Sequence, residues 1–265
     1  MEFPSIKEFK LCYFSDDVEN FVPKFMQRCP NLTSFWVDGP DNLDLISSFS
    51  ELVAARTWTH LHSISIESYK ITSDTLSEII GSMQQITALD ISHEHDFFAS
   101  NIMELLRPHF SSIRILHLRS NIGMISPMAQ EILSSCPLLE RLTAPPIDAS
   151  VVEVGKPWVC TRLQELRLMF VYKEVTYKVP TLPRLQPLVF DQMAKLVRLE
   201  EWYTGYPSRK IPHQRLDLTL RNGLSKLSTL RSLRSIDLDN TKQEIGQQEI
   251  DWILQHWTDL ETING

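Results

Sequence analysis

Glycine is scarce in this chain, with eight in 265 residues, and they are scattered. No Gly-rich loop exists that could cradle a phosphate, so nucleotide chemistry of that kind has no anchor. Cysteine is also sparse: Cys12, Cys29, Cys136 and Cys160 stand far apart without a CxxC pair. That spacing argues against a zinc site or a disulfide framework and suits small buried apolar groups. No block of Lys and Arg appears, and the net charge is −7 with a pI near 5.6. A partner with a phosphate backbone is therefore disfavoured, and nucleic acid is not an expected ligand. No run approaches the roughly 18 apolar residues that span a bilayer. The start, Met1-Glu2-Phe3-Pro4, has no basic segment followed by an apolar one and does not read as a signal peptide. The expectation is a soluble intracellular protein, cytoplasmic or nuclear, with no cofactor and no membrane partner.

What is present is a repeat. Ile113, Leu116, Leu118 and Asn121 form apolar-x-x-apolar-x-apolar-x-x-Asn, the strand-and-turn signature of a leucine-rich repeat. The same LxxLxL spacing starts at Ile6, Leu32, Leu61, Ile86, Ile113, Leu139 and Leu163, with intervals of 26, 29, 25, 27, 26 and 24 residues. One match means little, but seven at this period identify an array whose units bury themselves against their neighbours. Amphipathic helices are predicted between the strands, at Asn42 to Arg56, Ser73 to Met83 and Ser100 to Phe110, with another starting at Ser126-Pro127, where Ser126 can cap. The pattern breaks after Leu168. Residues 169–188 carry a weakly alternating stretch and then Pro180, Pro183 and Pro187, which oppose a continuous helix; they read as a rim insertion. Strand Leu199-x-x-Trp202, a loop at 205–214, an alternating strand at Leu216-x-Leu218-x-Leu220 and strand Leu233-x-x-Ile236 follow. A short helix from Gly223 to Leu230 lies between the last two strands. A cap near 243–265 would place Ile250, Ile253, Leu254 and Trp257 on one helix side, with Trp252 and Trp257 covering the last repeat.

The predicted fold is thus an α/β leucine-rich-repeat solenoid, a horseshoe with parallel strands on the concave face and helices on the convex face, as a single domain over 1–265. In LxxLxLxx the x residues beside the strand apolars face the concave surface. Parallel strands stack about 4.8 Å apart, so residues at equivalent positions become spatial neighbours. Asp90, His117 and Arg119 are expected in one mixed polar patch, and Arg167, Met169 and Tyr203 in a second. Trp36 and Tyr203 are of the types that dominate interface energies. These seven are the candidate partner-binding residues. His93-Glu94-His95-Asp96 with His117 has zinc-type ligands but lacks rigid helical spacing, and a solvated turn is the preferred reading. Ser92, Asp90 and His117 could lie close together, yet no nucleophile-elbow motif accompanies them, and no enzyme is inferred.

Two stretches, Cys29-Pro30-Asn31-Leu32 and Cys136-Pro137-Leu138-Leu139-Glu140-Arg141-Leu142, resemble the cysteine-containing repeats of F-box proteins. The C-terminal block from Leu216-Asp217-Leu218-Thr219-Leu220 to Glu249-Ile250-Asp251-Trp252-Ile253 is similar to the ends of F-box-like repeat proteins numerous in early-diverging fungi. The resemblance implies the substrate-binding repeats of a ubiquitin-ligase receptor, holding a protein partner on the concave face. Docking to a cullin-ligase adaptor would need an F-box upstream, since no Leu-Pro-x-Glu F-box helix stands in this sequence. A stand-alone repeat scaffold or regulator is the alternative.

Overall fold

A strand that buries every second residue must find cover on one face, and in the first unit helices lie between the successive strands. The computed structural model describes residues 1–12, 21–38, 43–67, 71–91, 100–118, 126–172, 182–204, 216–238 and 245–264. They form two compact units, Met1–Met124 and Ile125–Gly265.

The first unit runs β1 (Glu8–Cys12), α1 (Val22–Met26), β2 (Ser34–Asp38), α2 (Leu43–Ala54), β3 (Ser63–Glu67), α3 (Ser73–Ser82), β4 (Ala88–Asp90), α4 (Ser100–Leu106) with a 3-10 turn Arg107–His109, and β5 (Ile115–His117). All five strands are parallel and stack in chain order, in unshifted register: Phe9, Phe35, Ile64, Leu89 and Leu116 form one row. From Phe35 to Leu116 that row is buried, because it faces the helices. Phe35 stacks on Phe49 of α2 with ring centroids 3.9 Å apart, and Phe49 stacks on Trp58 at 5.6 Å. The Trp58 indole Nε1 donates to the Cys29 carbonyl at 2.9 Å, tying one repeat to the one before it.

Sequential repeats are also joined by a recurring backbone device. The carbonyl just before each strand accepts two successive N–H groups from the next repeat. Lys7 O takes Thr33 and Ser34, Thr33 O takes His62 and Ser63, His62 O takes Thr87 and Ala88, and Thr87 O takes Arg114 and Ile115. A parallel ladder between strands of three to five residues thereby gains an extra fixed point that sets register.

The second unit holds α5 (Ser126–Ser135), β6 (Arg141–Thr143), β7 (Ile147–Asp148), α6 (Ser150–Val154), β8 (Glu165–Arg167), β9 (Phe170–Val171), α7 (Leu182–Met193), β10 (Glu201–Tyr203), β11 (Ser235–Asp237), α8 (Gln247–His256) and β12 (Thr262–Asn264). Strands β6, β8, β10, β11 and β12 stack in that order, all parallel. The paired-donor device recurs, with Glu200 O taking Arg234 and Ser235, and Arg234 O taking Glu261 and Thr262. The repeating strand-helix unit, its period and its parallel unshifted register make the fold class an α/β leucine-rich-repeat solenoid.

Three expectations need correction. Leu216–Leu220 alternates but forms no strand: residues 216–218 are irregular, and Leu220–Asn222 and Leu224–Thr229 are 3-10 turns. Its backbone bonds are taken by side chains instead. Gln186 Nε2 donates to the Asp217 and Asn222 carbonyls, Gln186 Oε1 accepts Asp217 N–H, and Asp217 Oδ1 accepts Thr219 N–H. The 169–188 stretch is not wholly insertion, because α7 starts at Leu182 and carries Pro187 inside it. Pro183 sits in the first turn, where its missing N–H has no helical partner to lose, whereas Pro187 gives up one helical bond inside the helix. Ser126 is the first residue of α5, not its cap, and its hydroxyl accepts from Asp148 N–H at 2.8 Å. The short β7–β9 pairing, which holds Ile147 opposite Phe170, has no counterpart in the sequence reading. Residues 173–181 and 205–215 lie outside the described residues. No helix among those described is long and apolar enough to cross a membrane.

Candidate protein-binding surface

The period of two that buries Phe35 and Val37 turns Ser34, Trp36 and Asp38 to the opposite face. Because the register is unshifted, Lys10, Trp36 and Ser65 stand side by side across β1 to β3, and Ser65, Asp90 and His117 across β3 to β5. Three of the expected residues of this unit therefore share one row. Asp90 and His117 touch: His117 Nδ1 donates to Asp90 Oδ2 at 3.1 Å, with both side chains about three-quarters covered. With Nδ1 so engaged, a neutral imidazole presents Nε2 as its acceptor. Nε2 is buried and has no hydrogen-bond partner among the described residues, and the same holds for Ser65 Oγ.

Among the described residues no serine is hydrogen-bonded to this imidazole. The serine in register is Ser65, on the far side of Asp90 from His117, its strand lying two strand spacings, about 9.6 Å, from β5. A nucleophile and its base must lie within hydrogen-bond reach. Ser92, Arg119 and the His93–Asp96 run lie outside the described residues. Among the described residues no cluster of three or more His, Cys, Asp or Glu could hold a metal ion.

In the second unit, Arg167 and Tyr203 meet as expected. The Arg167 guanidinium carbon stands 4.1 Å above the Tyr203 ring centroid. Each is held from its own strand: Arg167 Nε donates to Glu165 Oε1 at 2.5 Å, and Tyr203 OH donates to Glu201 Oε2 at 2.8 Å. Arg141 Nε approaches Glu165 Oε2 at 3.9 Å from the neighbouring strand. Partial burial, then the hydrogen bond to Glu201, raises the Tyr203 phenol above its ordinary value, so it remains a neutral donor. Glu165 and Glu201 were not among the expected residues. The period of two alone could have found them, since it puts residues 165 and 167, and 201 and 203, on one face.

Met169 does not join this cluster. It is 7% exposed, and its carbonyl accepts Ile147 N–H at 2.9 Å where the chain turns into the β7–β9 pairing. The outward alternation expected for it ends with β8 at Arg167, and its side chain offers a partner no surface. Among the cysteines, Cys29, Cys136 and Cys160 are buried and free, whereas Cys12 is exposed on β1.

The sequence matches no protein-family model and no curated protein. Among solved structures, the chain is similar to an internalin from Listeria monocytogenes at 12% identity and a TM-score of 0.42. The match covers 90% of this chain and 62% of that one, so the chain spans less than two thirds of the internalin's length.

Proposed function

We propose that this chain is a protein-recognition module that captures its partner on the strand face, the concave side of a leucine-rich-repeat architecture. The observation that carries the reading is the Arg167–Tyr203 stack, pinned by Glu165 and Glu201. An aromatic ring and a guanidinium fixed in advance lose little rotamer freedom on binding, and these are residue types that anchor interfaces. An arginine guanidinium is a planar fork of donors suited to a partner carboxylate.

The resemblance to F-box proteins supports a narrower form of this reading, in which the module holds the substrate of a cullin-type ubiquitin ligase. A stand-alone scaffold or regulator is the second reading; its repeats would bind in the same way without recruiting an adaptor. The test is affinity capture with the full-length product, followed by quantitative binding of the captured partner. Tyr203→Ala should weaken binding by about 2 kcal/mol, and Arg167→Lys should lose part of that because an ammonium cannot form a fork. Trp36→Ala tests the first unit in the same assay and at the same expected size, about 2 kcal/mol. Unchanged affinity in all three variants would move the contact surface elsewhere. Co-purification of a cullin adaptor favours the ligase form, and a partner captured without it favours the scaffold.

A further inference from the structure

Each repeat of the second unit enters its strand through the same turn. Five residues before β6, β8, β10, β11 and β12 stand buried Cys136, Cys160, Leu196, Leu230 and Trp257. The carbonyl of each accepts the N–H three residues on, at Leu139, Leu163, Leu199, Leu233 and Leu260. The strands that follow pair in unshifted register, so the turns stack as the strands do, about 4.8 Å apart. Ser232 Oγ ties two of these turns together by donating to the Val197 carbonyl at 3.3 Å. The residue two places after the buried one therefore forms a row across the turns: Leu138, Arg162, Arg198, Ser232 and Asp259.

The three middle turns of this edge are basic. Arg162, Lys195, Arg198 and Arg231 are all exposed. Among the described residues no carboxylate pairs with any of them, and Lys195 Nζ donates only to the neutral Gln192 amide oxygen, at 2.8 Å. Elsewhere in the same unit Arg167, Arg184 and Lys226 each meet a carboxylate. Arg162 and Arg198 bring like charges to adjacent turns, an arrangement that costs stability and that a bound anion relieves. The corresponding places in the first unit, such as Thr59-His60, Gln84-Gln85 and Ser111-Ser112, hold no Lys or Arg. Two apolar residues are interleaved with the cations: Val159 is 40% exposed and Val197 is 49% exposed.

We propose that this basic edge is a second docking surface, for a short acidic segment of a partner protein that carries apolar side chains among its carboxylates. Charge complementarity selects the acid, and the two open valines select the apolar residues. Leu138 closes the row on one side and Asp259 on the other, so the arginines span two strand spacings, about 10 Å. A phosphate backbone would call for a longer track of cations and would leave the valines uncovered. The surface lies in the turns that precede the strands, apart from the Arg167–Tyr203 cluster, and does not depend on that cluster's role.

Fluorescence anisotropy with the whole chain and a labelled peptide of Glu-Glu-Leu repeats tests this. A peptide of Gln-Gln-Leu repeats is the uncharged control. Wild type should bind the Glu peptide at least about tenfold more tightly than the control, and added salt should narrow the difference. Arg162→Gln, Arg198→Gln and Arg231→Gln combined should remove that advantage. The same triple variant should unfold at or above the wild-type midpoint, because three unpaired like charges are gone. Arg162→Glu, Arg198→Glu and Arg231→Glu together should reverse the preference, so that a peptide of Lys-Lys-Leu repeats binds this variant more tightly than it binds wild type. Val197→Ser should weaken the Glu peptide by about threefold, since half of that side chain is open to be covered. Tyr203→Ala should leave its affinity unchanged. Equal binding of the Glu and Gln peptides to wild type, or wild-type affinity in the triple Gln variant, would overturn the proposal. Loss of binding in Tyr203→Ala would overturn it too, by placing the peptide on the strand face. A single-stranded oligonucleotide that binds more tightly than the peptide, and only with the three arginines present, would assign the edge to a phosphate ligand instead.

Discussion

Replacing Gln186 tests how the second unit replaces a missing strand. Gln186 is 1% exposed on α7, and its amide makes three bonds to the irregular segment that follows β10. Its Nε2 donates to the Asp217 and Asn222 carbonyls, both at 2.8 Å, and its Oε1 accepts Asp217 N–H at 2.9 Å. Gln186→Leu keeps roughly the same bulk and leaves those three backbone groups without their partner. A buried group left unsatisfied costs about 1–3 kcal/mol. Asn222 is part-exposed and can turn to water, so the two Asp217 groups carry most of the loss, about 4 kcal/mol in all. For a chain of this size that lowers the unfolding midpoint by about 10 °C. Gln186→Glu is the sharper variant. Its carboxylate still accepts Asp217 N–H but faces two carbonyls where a donor stood, which favours the protonated acid in the folded state. A raised folded-state pKa means the folded state binds more protons than the unfolded one between about pH 4.3 and that pKa, so stability rises as pH falls through this window. The assay is thermal unfolding by circular dichroism at pH 7.5 and pH 5. A Leu variant within about 1 kcal/mol of wild type, or a Glu variant with the wild-type pH response, would refute the reasoning.

Three other outcomes follow from single contacts. His109 is 7% exposed and burial lowers its pKa, so the unfolded state takes up a proton first as pH falls below about 6.5 and stability drains from there towards the lowered value. His109→Gln should therefore lose less stability than wild type between pH 7.5 and pH 5 in urea titrations. Trp58→Phe leaves the Cys29 carbonyl without its indole donor, whereas Trp202→Phe removes a buried Nε1 that has no partner among the described residues, so the first should cost about 1–3 kcal/mol more than the second in the same titrations. Burial pushes the Cys136 and Cys160 thiols up to about 12 and also raises Cys29, so a thiol reagent at neutral pH should titrate only exposed Cys12 in the native protein and all four cysteines in denaturant.

The strand positions were legible because the fold repeats one burial rule. Every LxxLxL apolar pair from Leu32 to Leu168 marks a strand whose helix-facing row is buried, and its period sets the register that brings Arg167 beside Tyr203. The errors arise where the same letters obey a different constraint. Leu216-x-Leu218-x-Leu220 alternates correctly, but Gln186 and Asp217 hold its backbone groups, so no ladder can form. Nothing in the local pattern announces a glutamine thirty residues away. The prolines of α7 signalled a break, yet Pro183 near the helix start costs little and the helix carries Pro187 in its interior. Met169 failed because the alternation rule applies only while the chain remains a strand, and β8 ends at Arg167. In the last helix, Ile253 and Trp257 are covered as expected, while Ile250 and Leu254 remain exposed, which a helical wheel cannot distinguish without a neighbour to pack against.

The two units differ in how they would hold a partner. In the second, Tyr203 is pinned at its hydroxyl by Glu201 and over one ring face by Arg167, and Arg167 is itself fixed by Glu165. Binding there freezes little that is not already ordered, so the interaction energy of the ring is mostly retained. In the first, no aromatic or cationic group among the described residues stacks on Trp36, whose neighbours in register are Lys10 and Ser65. An indole held only by its strand must lose rotamer freedom when a partner covers it, about 0.5–1.5 kcal/mol for a side chain immobilised at an interface. On the proposed reading, and for equal contact area, the Arg167–Tyr203 cluster would be the stronger anchor. Disturbing Glu165 or Glu201, which need not touch the partner, should weaken it by removing that order rather than a contact.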